Sequence, residues 1–161
     1  MACLEWTSPA MAAGHWVPEL ARLAGGGDPL GQVGEPSRDA GWDEIVAAAP
    51  DVVVLMPCGF DLARTLAVSA DVTRRPGFGR LPAARAGGVV AVDGSSSLNR
   101  PGPRILDGLD LMAAIVRAKP GDPLPAGAAW VPLARSSSPG AGAAGTDDLP
   151  GSRRRTEPAG G

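Results

Sequence analysis

Pro50-Asp-Val-Val-Val-Leu-Met-Pro-Cys-Gly-Phe-Asp61 is the stretch that decides the fold. Between its two prolines runs an unbroken apolar segment, Val52 to Met56, rich in β-branched residues. A half-exposed strand would alternate apolar and polar residues. A continuous run reads instead as a strand buried on both faces, the habit of parallel sheets. Gly88-Val-Val-Ala-Val-Asp93 repeats the pattern downstream, and Ala2-Cys-Leu-Glu5 is a third, very short strand upstream. Leu30-Gly31 is a weak fourth candidate.

Helical stretches lie between these strands. Trp16 to Leu23 places Trp16, Leu20 and Leu23 at helical spacing before Gly25-Gly-Gly27 stops it. Trp42 to Ala49 is short and ends at Pro50, and Phe60 to about Ala70 turns Leu62 and Leu66 to one face. Arg104 to Arg117 sets Ile105, Leu109, Met112 and Val116 on one stripe, flanked by Leu106 and Ala113. Alternating β and α predicts a single Rossmann-like α/β lobe over residues 2–118, its short, mostly parallel sheet flanked by helices. Residues 119–161 are dominated by Pro, Gly, Ala and Ser, as in Arg135-Ser-Ser-Ser-Pro-Gly-Ala-Gly-Ala-Ala-Gly145. Such a composition cannot offset chain entropy of about 1–2 kcal/mol per residue, which predicts a disordered tail. Trp130-Val-Pro-Leu133 is its one apolar spot, and Arg153-Arg154-Arg155 reads as a solvated basic triplet.

Composition removes several function classes. A net charge of −2 and 4% aromatic residues argue against a nucleic-acid partner. No run of 18 apolar residues exists to span a membrane. Two cysteines and one histidine are too few for a disulfide scaffold or a zinc site. Met1-Ala-Cys-Leu-Glu-Trp6 lacks the basic start of an export signal, so none is expected in the chain as given.

Ligands of open parallel α/β sheets sit beyond the carboxyl ends of the strands. Residues just past those ends, or at helix starts beside them, are therefore the candidates: Glu5, Trp6, His15, Trp16, Met56, Pro57, Cys58, Gly59, Phe60, Asn99 and Arg100. Trp6 and Trp16 offer flat apolar area, Glu5 and Asn99 hydrogen bonds, and the Phe60 helix start free N–H donors. No catalytic or phosphate-binding motif accompanies them, and Gly77-Phe-Gly79 reads as a loop. A small α/β enzyme or nucleotide-binding domain using Cys58 or His15, with Glu5 as a base, is the alternative left by the residues alone.

Eight blocks then fall in a recognisable order: Cys3-Leu-Glu-Trp6, Ala13-Gly-His-Trp-Val-Pro-Glu19, Leu23-Ala-Gly-Gly26, Trp42-Asp-Glu-Ile45, Pro50 to Asp61, Leu81-Pro-Ala-Ala-Arg85, Val90-Ala-Val-Asp-Gly94 and Asn99-Arg-Pro-Gly-Pro-Arg104. This series resembles the carboxy-terminal lobe of the solute-binding proteins of ABC importers for cobalamin and ferric siderophores, the bacterial cobalamin-binding type above all. Ser95-Ser-Ser-Leu98 departs from the larger residues usual there. The resemblance implies a non-enzymatic extracytoplasmic binder of a corrinoid or ferric siderophore, with the ligand held between two lobes. It implies no cofactor and no metal ligation by the protein, any cobalt or iron arriving within the ligand. It implies an ABC permease and an amino-terminal lobe as partners, the latter missing from this chain, so that a truncated binder or a non-functional remnant is expected. By the same resemblance, an acidic residue after the glycines that end the first helix meets the permease. Asp28 is that candidate and Glu35 the next.

Overall fold

The computed structural model describes residues 1–133, in which the strands are β1 (Ala2–Thr7), β2 (Ala10–Ala12), β3 (Arg38–Asp39), β4 (Val53–Leu55), β5 (Val89–Val92) and β6 (Ala128–Trp130). They form one sheet in the order β3-β2-β1-β4-β5-β6. The three strands legible in the sequence are its parallel centre: Cys3 lies opposite Val54, and Val54 opposite Val90. The other three strands, β2, β3 and β6, pair antiparallel. The segment beginning at Ala134, with the Pro/Gly/Ala/Ser run and Arg153 to Arg155, lies outside the described residues.

The helices are α1 (Val17–Leu23), α2 (Trp42–Ala48), α3 (Leu62–Val68), α4 (Ala70–Thr73), α5 (Pro82–Ala86), α6 (Gly94–Ser97) and α7 (Ile105–Arg117). They cover both faces of the sheet. Leu4, Val53, Leu55, Val89 and Ala91 point to the side of α2 to α5 and meet Ile45, Val72, Phe78 and Leu81. Cys3, Val54, Met56, Val90 and Val92 point the other way, onto Val17, Leu20 and Ala21 of α1 and Leu111, Met112 and Ile115 of α7. Every residue from Val53 to Met56 is fully buried, as an unalternating run requires. Each such side chain contributes about 1.5–3 kcal/mol of burial.

Four details differ from the sequence expectation. The sheet continues past residue 118: β6 pairs with β5 and Val131 is buried, so residues 119–133 fold onto the edge of the lobe. Leu30-Gly31 is no strand; its backbone is tied to Asp28 instead. The helix expected from Phe60 begins at Leu62, with Asp61 as its cap (Arg64 N–H to Asp61 Oδ1, 2.8 Å). On α7 the buried face is Gly108, Leu111, Met112, Ala113 and Ile115, rotated from the expected stripe, while Leu106 is 66% exposed. The helix is amphipathic, with Asp107, Asp110 and Arg117 exposed, but its apolar arc is wider than the face that is buried.

Candidate functional site

The carboxyl ends of β1, β4 and β5 share one edge of the sheet, and short hydrogen bonds join the segments that leave it. Cys58 N–H donates to the Glu5 carbonyl (3.2 Å), linking the turn after β4 to β1. The Asn99 amide donates to the Met56 carbonyl (2.8 Å), linking the segment after α6 to the end of β4. Helix α1 starts at this edge and runs away from it. Trp16, just before it, donates its indole N–H to the Leu98 carbonyl (2.8 Å), whereas Gly27, beyond its far end, accepts from the Met1 amino group (2.8 Å). Glu5 sits beside Ser37, which donates to its carboxylate and accepts from Gly14 N–H (3.2 Å). Trp6 meets Phe60 edge to face, with ring centroids 5.2 Å apart.

Of the expected ligand residues, Glu5, Trp6, Trp16 and Asn99 are half-buried at this rim, and His15, Cys58, Gly59 and Arg100 are exposed. Three need correction. Met56 is fully buried against α1 and α7, because it continues the Val54 side of the strand. Pro57 is buried beneath the turn, where its carbonyl accepts from Phe60 N–H (3.1 Å). Phe60 is 8% exposed, enclosed between Trp6 and the Arg64 guanidinium, which lies 3.7 Å above its ring. These three shape the rim from below. Asn99 holds the loop by one end of its amide. Its Nδ2 serves Met56, and its buried Oδ1 has no partner among the described residues. It fixes the loop through Nδ2 and leaves Oδ1 unpaired.

Asp28 stands at the opposite end of the lobe, beside the start of β1. Cys3 N–H donates to its Oδ2 (3.1 Å), and Leu30 and Gly31 N–H donate to its Oδ1 (3.0 and 3.3 Å). A half-buried carboxylate holding three backbone amides shapes the turn after α1. Glu35 is exposed, in the loop leading to β3. The residues missed from sequence are Arg64, Ser37 and Leu98. Arg64 carried a signal, since it stands four positions after an aromatic at the mouth of a strand.

Among the described residues, neither the Cys58 thiol nor the His15 imidazole has a hydrogen-bonded side-chain partner, and no group of three or more His, Cys, Asp or Glu could hold a metal ion. At the rim the Ser37 hydroxyl is the group paired with the Glu5 carboxylate. The rim is an open edge: a cavity of about 950 Å³ lies elsewhere, between α4, α5 and Val131 to Leu133 after β6, and one of about 300 Å³ is lined by Ala13, Glu35 and Ser37. No helix among the described residues is long and apolar enough to cross a membrane.

No protein-family model and no curated protein matches the chain. Solved structures do. The periplasmic heme-binding protein BhuT, in complex with two hemes, is 27% identical over 71% of this chain and 42% of that one, with a TM-score of 0.56. The periplasmic vitamin B12 binding protein BtuF of Vibrio cholerae is 21% identical over 72% of this chain and 43% of that one, with a TM-score of 0.52. The chain thus spans less than half the length of either. In its ordered sequence blocks and in its fold alike, it is similar to the solute-binding proteins of ABC importers.

Proposed function

We propose that this chain is a ligand-binding lobe of an ABC-importer solute-binding protein, acting by capture and not by catalysis. The observation that carries it is the rim at the carboxyl ends of β1, β4 and β5. There two half-exposed tryptophans, Trp6 and Trp16, flank the Pro57–Gly59 turn, each held in place by a neighbouring ring or carbonyl. Flat apolar surface of this kind suits a broad planar ligand, and the heme- and B12-binding neighbours make a corrinoid or related tetrapyrrole the class we favour over a siderophore. Arg64 and Arg100, both exposed here, would meet anionic groups on its periphery. The rim is an open edge, so a second lobe would close over the ligand from above. Of the two acidic candidates for a permease contact, Glu35 is the one we retain, because the Asp28 carboxylate is committed to backbone amides.

Titration of the 161-residue chain with cyanocobalamin, hemin and a ferric hydroxamate siderophore, followed by tryptophan fluorescence and calorimetry, tests this. Saturable one-to-one binding of a tetrapyrrole is expected, weakened at least about tenfold by Trp16→Ala, the loss of about 1.4 kcal/mol of contact. No saturable binding of any of the three, or affinity unmoved by both Trp16→Ala and Trp6→Ala, would overturn the proposal.

A further inference from the structure

We infer that the cavity of about 950 Å³ beside β6 is the seat of a segment of this same chain, Asp147-Asp148-Leu149. The two carboxylates meet the guanidinium groups of Arg74 and Arg85, and Leu149 lies against Phe78 and Leu133. The seat is remote from the rim. Val131, in its wall, donates its N–H to the Val89 carbonyl (2.8 Å), at the start of β5.

An occupant of this cavity meets positive charge on one side and apolar surface on the other. Arg74 directly follows α4 and Arg85 lies in α5. Both are exposed, and among the described residues neither forms an ion pair. Arg85 commits its Nε–H to the Gly79 carbonyl (3.4 Å), which leaves the two terminal nitrogens of its fork for a ligand. Across from them, Phe78 and Val131 belong to the core beneath α2 to α5, and Leu133 packs against it. Guanidinium groups beside an apolar floor select carboxylates carried next to a large aliphatic side chain.

The chain itself supplies that combination. Leu133, in the wall, is the last described residue, so the chain departs from the cavity. Beyond it the sequence holds three acidic residues, Asp147, Asp148 and Glu157, and a single large apolar one, Leu149. Asp147-Asp148-Leu149 joins both chemistries at one place, with no basic residue within four positions on either side. Glu157 instead has Arg153 to Arg155 as its near neighbours. Ala134 to Thr146 is a spacer of thirteen residues. A coil of that length spans about 20 Å root-mean-square, enough to return to the wall it left. Such a tether gives an effective concentration on the order of millimolar, so pairing within one chain needs little intrinsic affinity.

The test is paramagnetic broadening of amide signals in the nitrogen-15-labelled full chain. A nitroxide is attached through Ser152→Cys in a Cys58→Ser background, the remaining Cys3 being buried. The amides of Thr73 and Arg85 are expected to lose most of their intensity, and those of α1 to keep theirs. Asp147→Asn with Asp148→Asn keeps the tether and every residue of the lobe, and should abolish the broadening. Arg74→Asp with Arg85→Asp should abolish it too, and adding Asp147→Arg with Asp148→Arg to that chain should restore it. Equal broadening before and after the two asparagine substitutions would overturn the inference, since the tether alone would account for it. So would broadening centred on α1 or α7, or failure of the charge swap to restore the contact in a chain whose spectrum shows it folded. Broadening of a labelled chain by a spin-labelled second copy at the same amides would assign the cavity to a neighbouring molecule and overturn it as well. None of these readings uses a tetrapyrrole, so the assignment of the rim stands or falls separately.

Discussion

Gly94→Ala is the perturbation that probes the rim most sharply. Gly94 opens α6 directly after β5, where a Cβ would lie 2.5 Å from Asn99 Nδ2, 2.9 Å from the Met56 carbonyl oxygen and 3.0 Å from the Pro57 carbonyl oxygen. Two of those neighbours are backbone. The third is an amide already bonded to Met56 at 2.8 Å, so none can yield cheaply. Forcing a methyl group into a filled site costs about 1–3 kcal/mol. Prising the Asn99 amide from its acceptor adds about 1–3 kcal/mol. Alanine returns up to about 1 kcal/mol through its better helix propensity. The net expectation is a loss of about 2–4 kcal/mol, read as a lowered urea midpoint with tryptophan fluorescence as the probe. In an Asn99→Ala background one clash is gone in advance, so the two substitutions should couple by about 1 kcal/mol or more. A Gly94→Ala chain within about 0.5 kcal/mol of wild type, or strict additivity of the pair, would refute the reasoning.

Other substitutions follow from single local features. Ala49 caps α2 with φ +45°, so Ala49→Gly should stabilise the chain by about 0.5–1 kcal/mol, measured by the same urea midpoint. Asp28→Ala strands three backbone amides and should cost about 2–4 kcal/mol of stability, while leaving ligand affinity unchanged in calorimetry. A thiol reagent should label the exposed Cys58 in the native chain and reach the buried Cys3 only on unfolding, which mass spectrometry reads directly. Burial, reinforced by the Asp28 carboxylate, holds the Cys3 thiol well above its usual range. The folded chain therefore keeps a proton that the unfolded chain releases above about pH 8.5. Stability should fall as pH rises past that point, and Cys3→Ala should flatten the decline.

The central strands were legible because burial on both faces leaves a mark that needs no partner to interpret: Val52 to Met56 has nowhere polar to turn. The outer, antiparallel strands left no such mark. Ala10–Ala12, Arg38–Asp39 and Ala128–Trp130 are two or three residues long, and their pairing is dictated by the neighbouring strand rather than by their own side chains. This is why Trp130, in a stretch poor in apolar bulk, still completes the sheet. The rim was legible as a set of chain segments, since strand ends converge whatever the side chains are. Which side chains face outward was less so. Met56 could have been assigned inward, because it shares a face with Val54 two residues earlier. Phe60 could not, because its burial depends on Trp6 and Arg64 closing over it from positions 54 residues before and four after. The resemblance gave Asp28 a docking role, whereas in the fold its carboxylate holds three backbone amides that no motif displays.

Four tryptophans make the most direct test available, because each indole N–H gives its own signal in a nitrogen–proton correlation spectrum. Trp6 and Trp16 stand at the rim, whereas Trp130 lies opposite Val90 on β6, toward the start of the parallel strands, with its indole bonded to the Asp122 carbonyl (2.8 Å). Titration of the labelled chain with cyanocobalamin, a diamagnetic tetrapyrrole, should shift the Trp6 and Trp16 indole signals in a saturable way and leave Trp130 in place. Shifts centred on Trp130, or saturable binding that leaves both rim indoles unmoved, would contradict the assignment of this edge as the ligand surface.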